Sequence, residues 1–198
     1  MEKIICVGKN YLKHAQELGD AVPTEPMYFI KPPSVLFTAD PGNPNLHLVR
    51  TEEVHHELEL VLRIAQTEDR WHFSHFTFGL DLTLRGLQNR LKKAGQPWEK
   101  AKVFKNSAVI GEWFPVFSIE TVLETEFHLT INGELRQSGH GKDMRWQPSE
   151  LLIDLPTWFP LRPGDLLFTG TPEGVGPLKV GDKLEVHGGP VHYELTCV

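Results

Sequence analysis

A mainly β fold of the α+β class, with a few short helices, is predicted by three features of the sequence. Short alternating or wholly apolar runs recur between Pro and Gly residues, an Asn-Gly pair divides two of them, and helical spacing is confined to two places. The expected strands are Lys3 to Val7, Met27 to Ile30, Glu57 to Ile64, Phe127 to Ile131, Asp165 to Thr169 and Lys183 to Val186. In FHLTI-NG-ELRQSG, Asn132 and Gly133 both tolerate positive φ, which predicts a tight type I′ hairpin. Leu84, Leu87, Leu91 and Ala94 recur at helix spacing, with Thr83 as N-cap and Gly95-Gln96-Pro97 as the stop. A second helix is expected from about Ser149, its apolar face formed by Leu151, Leu152 and Leu155, and Pro156 should end or kink it. No repeat or linker divides the chain, so residues 1–198 are expected to form one domain, with Asp40 to Asn45 as a surface excursion.

Composition narrows the function. With 40% hydrophobic residues the chain can build a substantial core. Its 26 acidic and 20 basic side chains give a formal charge of −6, which opposes binding to nucleic acid or an anionic membrane and favours a small-molecule partner. Cys6 and Cys197 stand alone near opposite ends and read as reduced thiols. The apolar run Ile4 to Val7 is too short for a signal-peptide core or a membrane span, so a cytoplasmic location is expected.

The chemistry is carried by acids in apolar surroundings. Glu57 and Glu59 are two apart in VHHELELVL, a segment that otherwise reads as a buried strand, so both carboxylates should project to one face. Buried like charges must be protonated, hydrated or neutralised by a cation, and a divalent metal resolves the conflict; the alternative is a strand edge with its acidic face in solvent. Asp81, the only acid in FTFGLDLTLRGLQ, is a third candidate ligand. An all-oxygen donor set suits magnesium or manganese. His55 shares the parity of Glu57 and Glu59 and is weighed both as a fourth ligand and as a packed side chain; His56 faces the other way and reads as structural.

Five segments in order then resemble the short, single-domain members of the fumarylacetoacetate hydrolase family. GKNYLKHAQELG is similar to that family's GRNYxxHAxE segment, FIKPPS to its Pro-rich strand, HHELEL to its metal strand, GLDLTLRGLQ to its third-ligand segment and FTGTPEGVGP to its C-terminal glycine loop. The resemblance implies a mixed β-sandwich or roll, a homodimer, and metal ligation by Glu57, Glu59 and Asp81. It places Arg85, Gln88, Lys102 and Thr171 around the substrate, with Lys102 as the active-site lysine. His14 and Glu17 become the catalytic pair, and residues 9–19 a lid with Gly8 and Gly19 as hinges. Two positions depart from the pattern: Lys9 stands where arginine is more usual and Lys105 where aspartate is common, which bears on the substrate.

The implied activity is cleavage of a C–C bond in an acylpyruvate-type 2-oxo acid, with magnesium, or manganese in its place, acting as Lewis acid toward a pyruvate enolate. Arg85 and Lys102 would offset the negative charge of ligands and substrate. His14 would deprotonate the attacking water, while Glu17 holds the imidazole and raises its pKa. Decarboxylation of oxaloacetate and isomerisation of a 2-hydroxyhepta-2,4-diene-1,7-dioate use the same enolate chemistry and are the enzymatic alternatives. A catalytically idle metal- or ligand-binding domain is the alternative of another class.

Overall fold

The computed structural model describes the whole chain except residues 18, 20–22 and 50, and of residue 15 the backbone alone. Two sheets packed face to face enclose the main core. The larger is built around strand β1 (Ile4–Gly8), which pairs antiparallel with β2 (Met27–Lys31) on one side and parallel with β13 (Leu166–Phe168) on the other. Beyond β13 come the long strands β6 (Leu58–Thr67) and β7 (Arg70–Asp81), then β9 (Ala108–Ile110) and β3 (Leu36–Thr38), while β10 (Phe114–Pro115) also pairs with β7. The second sheet runs β12 (Glu134–His140), β11 (Glu126–Ile131), β15 (Lys183–Gly188), β16 (Val191–Cys197) and β4 (Asn45–Leu46). A small third sheet joins β14 (Gly176–Leu178), β5 (Val54–His56) and β8 (Thr83–Leu84).

The apolar run of β6 from Leu60 to Leu62 follows from its position. Leu58, Leu60, Leu62 and Ile64 face the core shared with the second sheet, while Val61 joins Ile4, Cys6, Leu166 and Phe168 in a smaller cluster on the opposite face. A strand covered on both sides has no solvent face to be polar. The facing sheets meet at Phe78 and Phe127, stacked with ring centroids 4.7 Å apart. Each such fully buried aromatic contributes about 1.5–3 kcal/mol relative to exposure.

All six expected strands are present, and the Asn132-Gly133 turn has the positive φ angles, 54° and 81°, of a type I′ hairpin. Cys6 and Cys197 are free thiols, both buried. The helices differ in detail from expectation. α1 (Leu12–Glu17) is one short element, and α2 (Arg85–Lys93) is capped by Leu84, not Thr83. Thr83 lies in β8 and its hydroxyl donates to Glu57 Oε1 at 2.9 Å, so it is unavailable to the helix. Gly95, at φ +64°, ends the α2 turn as expected. After α3 (Ile119–Glu124) comes α4 (Pro148–Trp158), which neither ends nor breaks before Pro156 but continues to Trp158. The proline falls in the final turn, where only one intrahelical bond is lost.

Candidate active site

Strand register gathers the acids. Glu59 pairs with Gly79 and Leu58 with Leu80, and the Asp81 N–H donates to the Glu57 carbonyl at 2.9 Å. The period of two therefore sets Glu57, Glu59 and Asp81 on one face. One oxygen of each lies within 4.8 Å of the others, and all three side chains are buried. Position 79 requires glycine, because a Cβ there would sit 2.3 Å from the Val109 carbonyl oxygen.

Glu57 and Glu59 do not share one unbroken strand, as the sequence suggested: the chain leaves β5 at His56 and β6 begins at Leu58. Side chains replace the missing neighbour strand there. The Leu58 N–H donates to Gln137 Oε1 at 2.9 Å, and its carbonyl accepts from the Thr171 hydroxyl at 2.8 Å. Gln137 also contacts His56 Nδ1 at 2.8 Å and donates to Thr171 Oγ1 at 2.8 Å. Thr171 lines the site, but its hydroxyl is committed to this bracing. His56 is structural, as expected. His55 lies outside the triad, with Nε2 2.7 Å from Glu53 Oε1.

Three cations surround the triad. Lys102 Nζ donates to Glu57 Oε2 at 2.8 Å and Asp81 Oδ2 at 2.6 Å. Arg85 pairs with Glu57 Oε1 through Nη2 and donates from Nη1 to Gln88 Oε1 at 2.7 Å, so the residue pair at helical spacing does converge. Lys31 is the partner the sequence reading missed. It is fully buried at the end of β2, with Nζ 2.5 Å from Asp81 Oδ1, and it donates to the Leu82 and Ser107 carbonyls. Lys105 is exposed and not part of the site lining.

These charges set the proton affinities. Burial alone would raise the Glu57 pKa, but Lys102 and Arg85 outweigh it and hold that carboxyl well below its usual range. Burial, reinforced by Asp81 and Glu57, pushes Glu59 well above its usual range. Burial opposes the charged form of Lys102, yet Asp81 and Glu57 prevail and keep the ammonium protonated.

His14 and Glu17 meet as expected, with Nδ1 3.2 Å from Glu17 Oε2. The expected rise in the His14 pKa is reversed: burial dominates and lowers it, against the opposing pull of Glu57 and Glu17. The Gly174 N–H donates to both Glu17 oxygens at 3.1 and 3.2 Å, which ties α1 to the glycine loop. Asn10 and Tyr11 are buried anchors. Asn10 Nδ2 donates to the Thr169 carbonyl at 2.8 Å, and the Tyr11 hydroxyl donates to the His140 carbonyl at 3.1 Å. Of residues 9–19, Leu18 lies outside the described residues.

The donor set fits a hard divalent ion: three carboxylates, all oxygen, at close quarters. Glu59 accepts the Gly170 N–H at 2.7 Å, but among the described residues no cation lies at ion-pair distance from it. Among the described residues Asp81 Oδ1 is ion-paired with Lys31 but accepts no aligned hydrogen bond, and the buried Arg85 Nε has no acceptor. The cavity over these groups is small, about 30 Å³.

A two-sheet β fold that sets three buried carboxylates and three cations around a small cavity defines a mainly β protein with a candidate carboxylate metal centre. The chain belongs to the fumarylacetoacetate hydrolase family: the model of the fumarylacetoacetate (FAA) hydrolase C-terminal domain matches residues 3–194. It is 42% identical over 194 residues to the oxaloacetate tautomerase YcgM of Escherichia coli, covering 94% of this chain and 88% of that protein. Against the mitochondrial oxaloacetate tautomerase of Homo sapiens it is 34% identical over 196 residues, covering 94% and 88%. Fumarylpyruvate hydrolase from Pseudomonas aeruginosa, solved with Mn2+ and pyruvate, superposes with a TM-score of 0.91 at 34% identity, covering 100% of this chain and 90% of that one.

Proposed function

We propose that the chain is a metal-dependent enzyme of 2-oxo acid chemistry that interconverts the keto and enol forms of oxaloacetate. The observation that carries this reading is the charge balance of the site. Glu57, Glu59 and Asp81 carry three negative charges and Lys31, Arg85 and Lys102 three positive ones beside them, while Lys9 and Lys92 also line the cavity, so a divalent ion would leave the site net positive, the complement of an anionic 2-oxo acid. The names of the tautomerase relatives support the same substrate.

Glu57, Glu59 and Asp81 would hold magnesium or manganese, which when bound polarises a 2-keto oxygen and stabilises the negative charge that develops there. Lys102, kept protonated by its two carboxylates, adds a fixed positive charge beside that oxygen. Arg85 and Gln88 orient a substrate carboxylate, the Arg85 Nε donor being without a partner among the described residues. Glu17 occupies His14 Nδ1 and leaves Nε2 for the substrate. Burial favours the neutral imidazole, the form that takes a proton from C3; returning it to the 2-oxygen completes the tautomerisation. Of the lid segment 9–19, Asn10 and Tyr11 are buried anchors, so we assign the movement that admits and covers the substrate to the part that follows them.

Acylpyruvate hydrolysis is the second reading, favoured by the likeness to fumarylpyruvate hydrolase and by a neutral His14 able to activate water. The discriminating experiment follows loss of enol-oxaloacetate absorbance, and separately cleavage of acetylpyruvate, with magnesium, with manganese and with chelator. Metal-dependent acceleration of the first is expected. Acceleration of the second alone would replace the proposal. A cytoplasmic homodimer completes the reading; Phe117, 94% exposed, and Trp158, 64% exposed, are apolar surfaces for a second copy, and among the described residues no helix is long and apolar enough to cross a membrane.

A further inference from the structure

The second sheet carries another group of metal-ligating side chains, on its outward face and on strands that contribute nothing to the carboxylate triad. β15 and β16 run antiparallel with His187 directly opposite His192, and β11 sets His128 opposite His187. The period of two turns Val186, Val191 and Tyr193 into the core and leaves Glu185 on the outward face with His187, and Glu194 with His192. Glu185 Oε1 lies 2.8 Å from His187 Nε2 and 3.4 Å from His192 Nε2, and one donor atom from each of the three residues lies within 4.8 Å of the others.

We propose that Glu185, His187 and His192 form a surface binding site for a borderline divalent transition ion, of which zinc is the best match. Tetrahedral zinc, with ligands at about 2.0–2.2 Å, sets its donors about 3.3 Å apart. The Glu185–His192 spacing of 3.4 Å already meets this, and the Glu185–His187 hydrogen bond need open by only about half an ångström. The His187 and His192 rings are stacked, with centroids 4.1 Å apart and planes 11° apart, so they must splay to converge on an ion. The terminal torsion of histidine is soft enough for that rotation. His128, stacked 5.1 Å behind His187, supports that ring. The Thr130 hydroxyl donates to Glu185 Oε2 at 3.4 Å and steadies the carboxylate.

Three protein donors leave one tetrahedral position for water or another small ligand. Two imidazoles and one carboxylate favour zinc, nickel or copper, whereas the three carboxylates of the active site favour magnesium or manganese. The chain would therefore sort two classes of metal between two sites, and an ion on the outer one would clamp β15 to β16.

The test uses the full chain, stripped of metal and then held in excess magnesium to fill the carboxylate site. Cobalt serves as the probe, because tetrahedral cobalt with imidazole ligands absorbs strongly in the visible and octahedral oxygen-ligated cobalt only faintly. Wild type is expected to develop the strong bands and lose them on addition of zinc. His187→Asn and His192→Asn should show neither, while their magnesium-dependent activity is unchanged. In parallel, zinc should raise the melting temperature of wild type but not of Glu185→Gln. Strong bands that persist in the His187→Asn/His192→Asn double variant, no bands in wild type, or an equal zinc response in Glu185→Gln would overturn the proposal.

Discussion

Replacing Glu59 by Gln should change the stability of the ion-free and ion-bound protein in opposite directions. Glu59 is 2% exposed, accepts a single backbone N–H from Gly170, and has a ligand oxygen within 4.8 Å of those of Glu57 and Asp81. At an effective dielectric of ~20, like charges at that separation repel by about 3.5 kcal/mol. Lys102 offsets part of this, and protonation of Glu59 caps the rest, so the net relief on removing the charge is put at about 1–2 kcal/mol. Gln keeps an oxygen for the Gly170 N–H. In chelator the variant should therefore melt about 2–8 °C above wild type. With metal at 100 times its dissociation constant, wild type gains about 2.7 kcal/mol, or about 5–11 °C, and the variant little. Calorimetric or fluorescence melting curves in chelator, magnesium and manganese test this. A variant that melts below wild type in chelator, or responds to metal as strongly, would refute the assignment of Glu59 as a charged ligand.

His14→Ala should lower turnover by about 10²–10⁴-fold while leaving the metal-induced rise in melting temperature intact; loss of that rise would place His14 in metal binding instead. Because burial lowers the His14 pKa, wild-type activity should persist below the ordinary histidine midpoint of about 6.5, and an acid limb above that value would contradict the geometry. For stability the sign is the same. With His14 and His56 both lowered, the unfolded chain binds more protons just below pH ~6.5, so their contribution is present above that pH and lost as pH falls, which denaturant titrations at several pH values measure. Lys31→Met leaves Asp81 short of a buried partner and strands the Leu82 and Ser107 carbonyls; a loss of about 3–5 kcal/mol is expected, and a melting temperature within a degree or two of wild type would show the pair to be inert. Gln137→Ala should cost about 1–3 kcal/mol for the orphaned Leu58 N–H and also weaken metal binding through Glu57, read by denaturant and metal titration.

What was legible in the sequence was what repeats or conflicts locally. The strands announced themselves by apolar alternation, the hairpin by Asn132-Gly133, Glu59 and Asp81 by being charged within the apolar runs of β6 and β7, and Glu57 by standing two residues before Glu59. Lys31 was hidden because a lysine at the end of a short strand reads as an ordinary edge charge; only its pairing with Asp81, fifty positions on, makes it part of the site. Gln137 was hidden for the same reason, since nothing in β12 signals that it completes the hydrogen bonding of Leu58 and His56. The direction of the His14 pKa depends on burial by residues distant in the chain, which spacing to Glu17 cannot report. The histidines of the outward face lie at separate positions on β11, β15 and β16, and only sheet register makes them neighbours.

The parallel pairing of β1 with β13 has a consequence for synthesis on the ribosome. The β6–β7 hairpin closes through a short turn and can form as soon as it emerges, bringing Glu57, Glu59 and Asp81 together. The Gly170 N–H that receives Glu59 and the Thr171 hydroxyl that braces Leu58 are made nearly ninety residues later, at about 5–20 residues per second. For several seconds or more the nascent chain therefore carries converging carboxylates on an uncovered strand edge, while β1 waits for its partner. A cell that supplies divalent ions during this interval offers Glu59 a partner before the Gly170 N–H exists.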